Sequence, residues 1–566
     1  MQQYDFHKMS FYQIWIRSFC DGNGDGIGDL YGVYDKLDYI KSLGVDGIWF
    51  SPIYPSPNAD YGYDISDYKN IHPDYGTLEQ FQKVLQKAHE LGLKVLLDLV
   101  INHTSDEHPW FIESCKGKDN PYSDYYIWRD PKWKGEDRLP PNNWYSQFEG
   151  MAWEYKESRG QYYLHVFARK QPDLNMDNPR VREEVKSIMR FWLEMGVDGF
   201  REDVITYISK TSQLPDGIPF LPMINGLPFY NEGPHLLKYL QEFRQVIREY
   251  GAIQIGEAPM TSARNGMKYI SGEEPVLDML IQFDHMSADC FITEYLHHGF
   301  WLRKLKRAFS RWQYTLGDKA WHALYLENHD HPRVVSRYGS RRCWRESGCM
   351  LAASYIFQRG CPFIYQGQEI GMTNIALPSI EHYLDVASKN AYAMFHRREP
   401  DHKRLARIHV SSRDSARTPV QWTGGKNAGF SEADPWFYVN PQYSRINVES
   451  EEKDPDSILN FYRKCLALRK AKPVLLSGSY REYQARSRSI YMYERKLGED
   501  RILVICSFCG HEKKYHLPKA WRKTEANILL DNYPDKETDH YKGLKTGAAV
   551  IGSLRPYEVQ VLEYKR

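Results

Sequence analysis

The feature that most constrains this chain is an alternation. Eight short runs rich in apolar and β-branched residues lie at 10–19, 47–53, 94–100, 199–204, 253–257, 279–284, 322–328 and 361–367. Longer amphipathic segments separate them, such as 77–92 and 179–196. Asn178 and Pro179 open the second of these segments and a glycine ends it, the punctuation of a helix. Apolar strands alternating with helices build a parallel sheet. Eight such units predict an α/β fold that closes as a (β/α)8 TIM barrel rather than an open sheet.

Two stretches break the pattern. Residues 104–175 are too long for a βα loop and are rich in Trp, Tyr, Pro and Asn, which predicts an inserted subdomain. Residues 368–455 form a second excursion before a helical segment at 456–472. Beyond about residue 476 the runs become short and alternating, as in an antiparallel β-domain. The expected division is a barrel over 1–103 and 176–475, an insert over 104–175 and a C-terminal β-domain over 476–566.

Lysine plus arginine number 74 against 73 aspartate plus glutamate, a net charge of +1, which argues against nucleic acid as a partner. The 42 Tyr and 15 Trp suit stacking on sugar rings as well as core packing. The nine cysteines are scattered. Only Cys506 and Cys509 have redox spacing, and the pattern as a whole reads as buried thiols in a reducing cytosol. The N-terminus has no basic segment followed by an apolar stretch, and no apolar run approaches the ~18 residues of a membrane span. The expectation is a cytoplasmic protein, monomeric or weakly oligomeric, with no membrane partner.

The ends of barrel strands carry function. Here they carry Asn102 and His103 after strand three, Arg201, Glu202 and Asp203 at strand four, Glu257 at strand five, and Asn328, His329 and Asp330 after strand seven. Paired carboxylates across a sugar point to glycoside hydrolysis. The two-residue period of a strand puts Arg201 and Asp203 on one face, where the arginine would hold the carboxylate ionised. Glu202 turns to the opposite face and needs a buried partner.

The segments "DLVINHTS" (98–105), "GFREDV" (199–204), "IGEA" (255–258) and "ENHD" (327–330) resemble the four blocks of the α-amylase family, glycoside hydrolase family 13. "QPDLN" (171–175) resembles the additional block of its oligo-1,6-glucosidase subfamily, and the resemblance runs from about Phe11 to the C-terminus. It implies a catalytic barrel, a domain inserted after strand three and a C-terminal β-sandwich. By position it implies Asp203 as nucleophile, Glu257 as general acid/base and Asp330 as a third carboxylate stabilising the transition state, in a retaining reaction through a covalent β-glucosyl-enzyme. His103, Arg201 and His329 match residues that hold the sugar at the −1 subsite. Asp60 and Tyr63 match residues that grip and stack on the terminal glucose. Phe167 matches an aromatic of the same subsite, and Arg413 an arginine that pairs with Asp60 and closes the pocket. Two positions depart from the pattern: Glu202, usually apolar or small, and Met176, usually Trp, which could loosen packing beside the pocket.

"DGNGDGIGDL" (21–30) begins like an EF-hand loop, but its twelfth position is Gly32 instead of a bidentate Glu. It resembles a calcium loop of several subfamily members. Asp21, Asn23, Asp25 and Asp29 would offer side-chain oxygens and Ile27 its carbonyl, holding a structural Ca2+, or Mg2+, with no part in catalysis. A metal-free Asp/Gly turn is the alternative.

The resemblance implies an exo-acting α-glucosidase that takes short oligosaccharides as substrates. In the matching block the resemblance associates Val, here Val204, with α-1,6 activity, which implies isomaltose and isomalto-oligosaccharides as substrates. The rivals are trehalose-6-phosphate hydrolase, sucrose isomerase and trehalose synthase, which use the same covalent intermediate. Sucrose isomerases carry an arginine-rich "RLDRD"-type loop, whereas this chain has "FDHMSADCFITEYLHHG" (283–299) after strand six. Non-catalytic transporter-associated relatives lose carboxylates that this chain keeps.

Overall fold

The computed structural model describes residues 4–148, 150–219, 224–291, 293–394, 399–522, 525–533 and 551–564. Eight parallel strands form the central sheet: β1 (Phe11–Ile14), β2 (Gly47–Phe50), β3 (Lys94–Leu99), β4 (Gly199–Glu202), β5 (Ile253–Glu257), β6 (Met279–Ile281), β7 (Ala323–Leu324) and β8 (Cys361–Tyr365). Each falls inside a run predicted from the sequence. Their spatial order, β6-β5-β4-β3-β2-β1-β8-β7, is that of a singly wound barrel. An isolated parallel bridge between Leu280 and His322 joins the two ends.

The helices form where the sequence supplies caps. Leu78–Glu90 starts with a capping box between Thr77 and Gln80. In Pro179–Met195 the Asn178 side chain caps the Arg180 amide, and Gly196 ends the helix in the left-handed conformation at φ 106°. That helix turns Val181, Val185, Ile188, Met189 and Trp192 towards the sheet. Inside the barrel, Phe11, Trp49, Leu96, Ile253, Ile255, Met279, Ile281 and Phe363 pack into an apolar floor.

Strand β7 is shorter than the predicted 322–328 run. Beyond Leu324 the carbonyl of Tyr325 accepts a hydrogen bond from His285 Nε2 at 2.7 Å, and the Tyr325 hydroxyl donates to the Gln282 carbonyl at 3.0 Å. Side chains take over the contacts a ladder would have made, and the segment carrying Asn328, His329 and Asp330 is released onto the rim.

Residues 104–175 contain a short helix, Pro109–Ser114, a three-stranded sheet of Trp128–Arg129, Gln161–Leu164 and Trp153–Lys156, and a hairpin of Lys132–Lys134 with Asp137–Leu139. The C-terminal region holds a five-stranded antiparallel sheet and a two-stranded one, Lys513–His516 with Ile551–Leu554. Residues 534–550 of that region lie outside the described residues. The nine cysteines are unpaired, Cys506 and Cys509 among them. Among the described residues no helix is long and apolar enough to cross a membrane.

Candidate active site

Register sets the site. Asp98 on β3 and Ile255 on β5 both lie opposite Arg201 on β4. Advancing two residues along β4 and β5 keeps the same face and reaches Asp203 and Glu257, one layer above the apolar floor. The Arg201 guanidinium, fully buried, ties the layer together. Its Nη1 donates to Asp98 Oδ1 at 2.7 Å and to Asp203 Oδ1 at 2.7 Å, and its Nη2 donates to Glu257. Asp98 in turn accepts from the Tyr63 hydroxyl at 2.9 Å and the Trp49 indole at 3.3 Å. Asp98 lies within a block quoted above, yet its part in the site was not foreseen. A charged residue within an otherwise apolar strand was the available signal.

One cation shared by three buried carboxylates leaves negative charge in excess. Burial pushes Asp203 well above the ordinary carboxylate range, and Glu257, Asp98 and Asp330 add to this against the pull of Arg201. Arg201 pulls Asp203 towards the ionised form, as the sequence predicts, but shares its charge with Asp98 and Glu257. Glu257 is also raised by burial. The two titrate as a pair, and the arrangement favours one retained proton between them. Asp330 behaves oppositely. Despite its desolvation, His329, Arg413 and Arg417 hold it well below the usual range.

Backbone strain sits at the same place. Val204 has φ 35° and ψ 42°, a left-handed conformation rare for a β-branched residue. It turns the Val204 amide onto Glu257 Oε2 at 3.0 Å. Such strain costs about 1–3 kcal/mol and persists only where the surroundings hold it.

The remaining predicted residues line one cavity of about 300 Å³ with the three carboxylates: Asp60, Tyr63, His103, Phe167, His329 and Arg413. Arg201 lies directly beneath. Tyr63 stacks on His329 with ring centroids 5.0 Å apart, and Phe167 lies 5.2 Å from His103. Burial lowers His329 and His103 to about 4, so both are neutral at pH 7. His329 Nδ1 accepts from Gln13 Nε2 at 2.8 Å, which places the ring proton on Nε2, 3.1 Å from Asp330 Oδ2. Gln171 of the "QPDLN" block donates to Asp60 at 3.2 Å, and Asp173 bridges to the His103 backbone and pairs with Lys210 at 2.9 Å.

Arg413 reaches Asp60 at 3.2 Å and Asp330 at 3.1 Å, but its shortest contact is with Asp385, at 2.6 Å. The sequence reading missed Asp385. Despite burial, Arg413 and Arg417 hold it at about 2, so it anchors the arginine as a fixed anion. It lies in the long 368–455 excursion, where no periodicity marks it.

Glu202 points away from the cavity, as the strand period requires. Fully buried, it accepts from Gln254 Nε2 at 2.7 Å, and burial raises it to about 8. Met176 does not line the main cavity. It is buried in the core and borders a separate cavity of about 140 Å³.

The 21–29 loop lies apart from these residues. Asp21 accepts the amides of Asn23, Gly24 and Gly26 and the Ser431 hydroxyl. Asp25 accepts from Ile27 N and Asn23 Nδ2, and Asn23 Oδ1 from Asp25 N. Asp29 accepts from Gly22, Asn23 and Gly32, capping the next helix. At Gly26, φ is 93° and a Cβ would meet the Asp434 carbonyl at 2.2 Å, so only glycine fits. The side-chain donors are all hard oxygens gathered on one turn, a set that suits Ca2+ or Mg2+. Among the described residues no three His, Cys, Asp or Glu side chains are drawn together as a metal-binding group.

Comparison with known proteins gives one answer. Residues 13–478 match the model of the α-amylase catalytic domain. The chain is 44% identical to the oligo-1,6-glucosidase of Parageobacillus thermoglucosidasius, covering 98% of each chain. Its structure is similar to that of Bacillus licheniformis trehalose-6-phosphate hydrolase (TM-score 0.92, 39% identity, 99% of this chain and 100% of the other). It is equally close to the trehalulose synthase of Pseudomonas mesoacidophila MX-45 (TM-score 0.93, 37% identity, 99% of each). Catalytic-domain match, near full-length relatives and strand-end carboxylates all agree: the chain belongs to the α-amylase family, glycoside hydrolase family 13, as a retaining enzyme of the α-glucosidase type.

Proposed function

We propose that the protein is an exo-acting α-glucosidase that releases glucose from the non-reducing ends of short α-glucosides, with α-1,6 linkages preferred. The observation that carries the reading is the closed end of the cavity. Asp60, itself buried, is bonded there to Gln171 and Arg413, and Arg413 in turn to Asp385, a wall that supports binding of a terminal sugar rather than passage of a chain. Asp203 then attacks the anomeric carbon from one face while Glu257 protonates the departing oxygen. Asp330 faces the positive charge that develops on the ring. Arg201 supports the assignment of a covalent intermediate. One guanidinium bonds both carboxyls, which suits the ~5–5.5 Å separation of retaining enzymes better than the ~6.5–9.5 Å of inverting ones.

Similarity to trehalose-6-phosphate hydrolase and trehalulose synthase supports a second reading, a related enzyme on another small α-glucoside. Among the described lining residues Arg413 is the only Lys or Arg, and it is committed to carboxylates. A phosphorylated substrate finds no spare cation among them, which favours the neutral one.

The test is product analysis with isomaltose, maltose, sucrose, trehalose and trehalose-6-phosphate. Fastest glucose release from isomaltose supports the first reading. Preferential hydrolysis of the phosphorylated sugar, or isomerisation of sucrose, establishes the second.

The 21–29 loop is proposed to hold one structural Ca2+ or Mg2+. Asp21, Asn23, Asp25 and Asp29 would hold it through side chains and Ile27 through its carbonyl. The all-oxygen donor set supports this.

A further inference from the structure

Asp60 and Tyr63, which both line the cavity, come from one tight turn. The Tyr63 amide donates to the Asp60 carbonyl at 3.2 Å, and the two residues between them have positive φ, 44° at Tyr61 and 101° at Gly62. That hand suits a glycine, and at Gly62 an added Cβ would also stand 3.1 Å from the Pro52 carbonyl oxygen. It does not suit a tyrosine. Asn58, two residues before Asp60, is a further left-handed position, at φ 60°. Strained positions of this kind persist only where their surroundings hold them.

The two sides of the turn are held by different groups. On the Tyr63 side, the Tyr63 carbonyl meets His103 Nε2 at 3.1 Å and Gln171 Nε2 at 3.3 Å. On the Asp60 side the hold is Asp64, which is fully buried and stands outside the cavity lining. Its Oδ2 accepts the Ala59 amide at 2.8 Å, and its Oδ1 accepts the Asp60 amide at 3.0 Å and the Ser56 hydroxyl at 2.9 Å. Ser56 Oγ in turn accepts the Asn58 amide at 3.0 Å.

Only a side chain with two acceptor oxygens can take the Ala59 and Asp60 amides on separate atoms. Burial raises Asp64 to about 6 against the pull of those two amides, so at pH 7 both oxygens act as acceptors. An Asn at this position would turn an NH2 group against one of the two N–H groups. With its backbone fixed in this way, Asp60 presents its carboxylate to Arg413 and to Gln171, each at 3.2 Å.

We propose that Asp64 is a positioning residue for the reaction, acting through Asp60 to set the subsite of the terminal glucose. The assignment rests on the α-glucosidase reading, which gives Asp60 its sugar. It goes beyond that reading by placing part of the fit on a side chain outside the cavity.

The test is a double-mutant cycle of Asp64→Asn and Asp60→Ala. Values of kcat and KM are measured on the neutral α-glucoside that the wild type cleaves fastest, well below each variant's melting temperature. Asp64→Asn should lower kcat/KM at least about tenfold, because a small misplacement of a binding group is costly. In the Asp60→Ala background the same change should cost less than about twofold further, because the group it positions is gone. A side chain that serves folding alone would lower the melting temperature and give equal losses in the two backgrounds. Ser56→Ala removes one donor to Asp64 and the acceptor of the Asn58 amide. It should give a severalfold loss with the same coupling, and it takes the place of Asp64→Asn if that variant does not fold. Equal fold losses in the two backgrounds, or an unchanged kcat/KM in folded Asp64→Asn, would overturn the assignment while leaving the α-glucosidase reading intact. A wild type that releases no glucose from any neutral α-glucoside would overturn both.

Discussion

Two groups of carboxylates in this molecule share a composition and differ in everything else. In the 21–29 loop, Asp21, Asp25 and Asp29 accept amides of their own turn. Although partly desolvated, Asp21 is held below its ordinary pKa by the Ser431 hydroxyl and the Gly26 and Gly24 amides. In the cavity, Asp98, Asp203 and Glu257 compete for one buried arginine, and burial pushes Asp203 and Glu257 up. In the loop Asp29, more deeply buried, is raised by desolvation although three amides of the turn oppose it. In the cavity a backbone amide, that of Val204, reaches Glu257, and the exclusion of water leaves charge that a reacting sugar can discharge.

The largest effect expected from that contrast is in the cavity. Asp203→Asn should cost at least ~10³-fold in kcat, about 4 kcal/mol of barrier. Glu257→Gln should fail on natural sugars and retain more activity on substrates with good leaving groups, which need no protonation. Steady-state kinetics on isomaltose and an aryl glucoside check both. Equal losses of Glu257→Gln on the two substrates would remove the acid assignment.

Glu202 lies between the two cases, buried like the cavity group but hydrogen-bonded to Gln254, with Arg244 acting on it only through space. Its folded pKa of about 8 stands above its ordinary 4.5. Between those values the folded protein keeps a proton that the unfolded chain has released, so stability falls as pH rises through that window. The cost at pH 7 is on the order of 3 kcal/mol. Glu202→Gln should remove that slope between pH 5 and 8 in denaturant unfolding and spare kcat relative to Asp203→Asn. A variant with the wild-type slope would show that this carboxyl is not the group responsible.

For the loop, a cation bound only by the folded state stabilises it by about 2.7 kcal/mol at a hundredfold excess over Kd. Chelator should lower the melting temperature, calcium should restore it, and activity well below the transition should stay constant. A melting curve indifferent to chelator, with no cation in metal analysis, would leave the loop a plain turn. The smallest effect is at Val204, which lines the cavity in a strained conformation. Val204→Ala or Val204→Thr should shift the isomaltose-to-maltose ratio of kcat/KM towards maltose, by about tenfold. An unmoved ratio would detach linkage preference from this residue.

The alternation of apolar runs and helical segments was enough to place eight strands and to put Asp203 and Glu257 at neighbouring strand ends. Periodicity is local, and a two-residue repeat sorts Arg201 and Asp203 from Glu202 without any tertiary information. Asp385 escaped for the opposite reason. It sits in an irregular segment, where no repeat fixes the direction of a side chain, and 55 residues separate it from Asp330. The ionisation of the site was equally out of reach. The sequence places an arginine two residues before a carboxylate, and that pair alone predicts an ionised Asp203. Only the closed barrel brings Asp98 and Glu257 to the same guanidinium and removes water from all of them. The sequence by itself thus determined which strand ends carry the chemistry, because hydrophobic patterning is written residue by residue. The tertiary structure decided how those groups share charge, because electrostatic coupling depends on distances and burial that exist only after the barrel has closed.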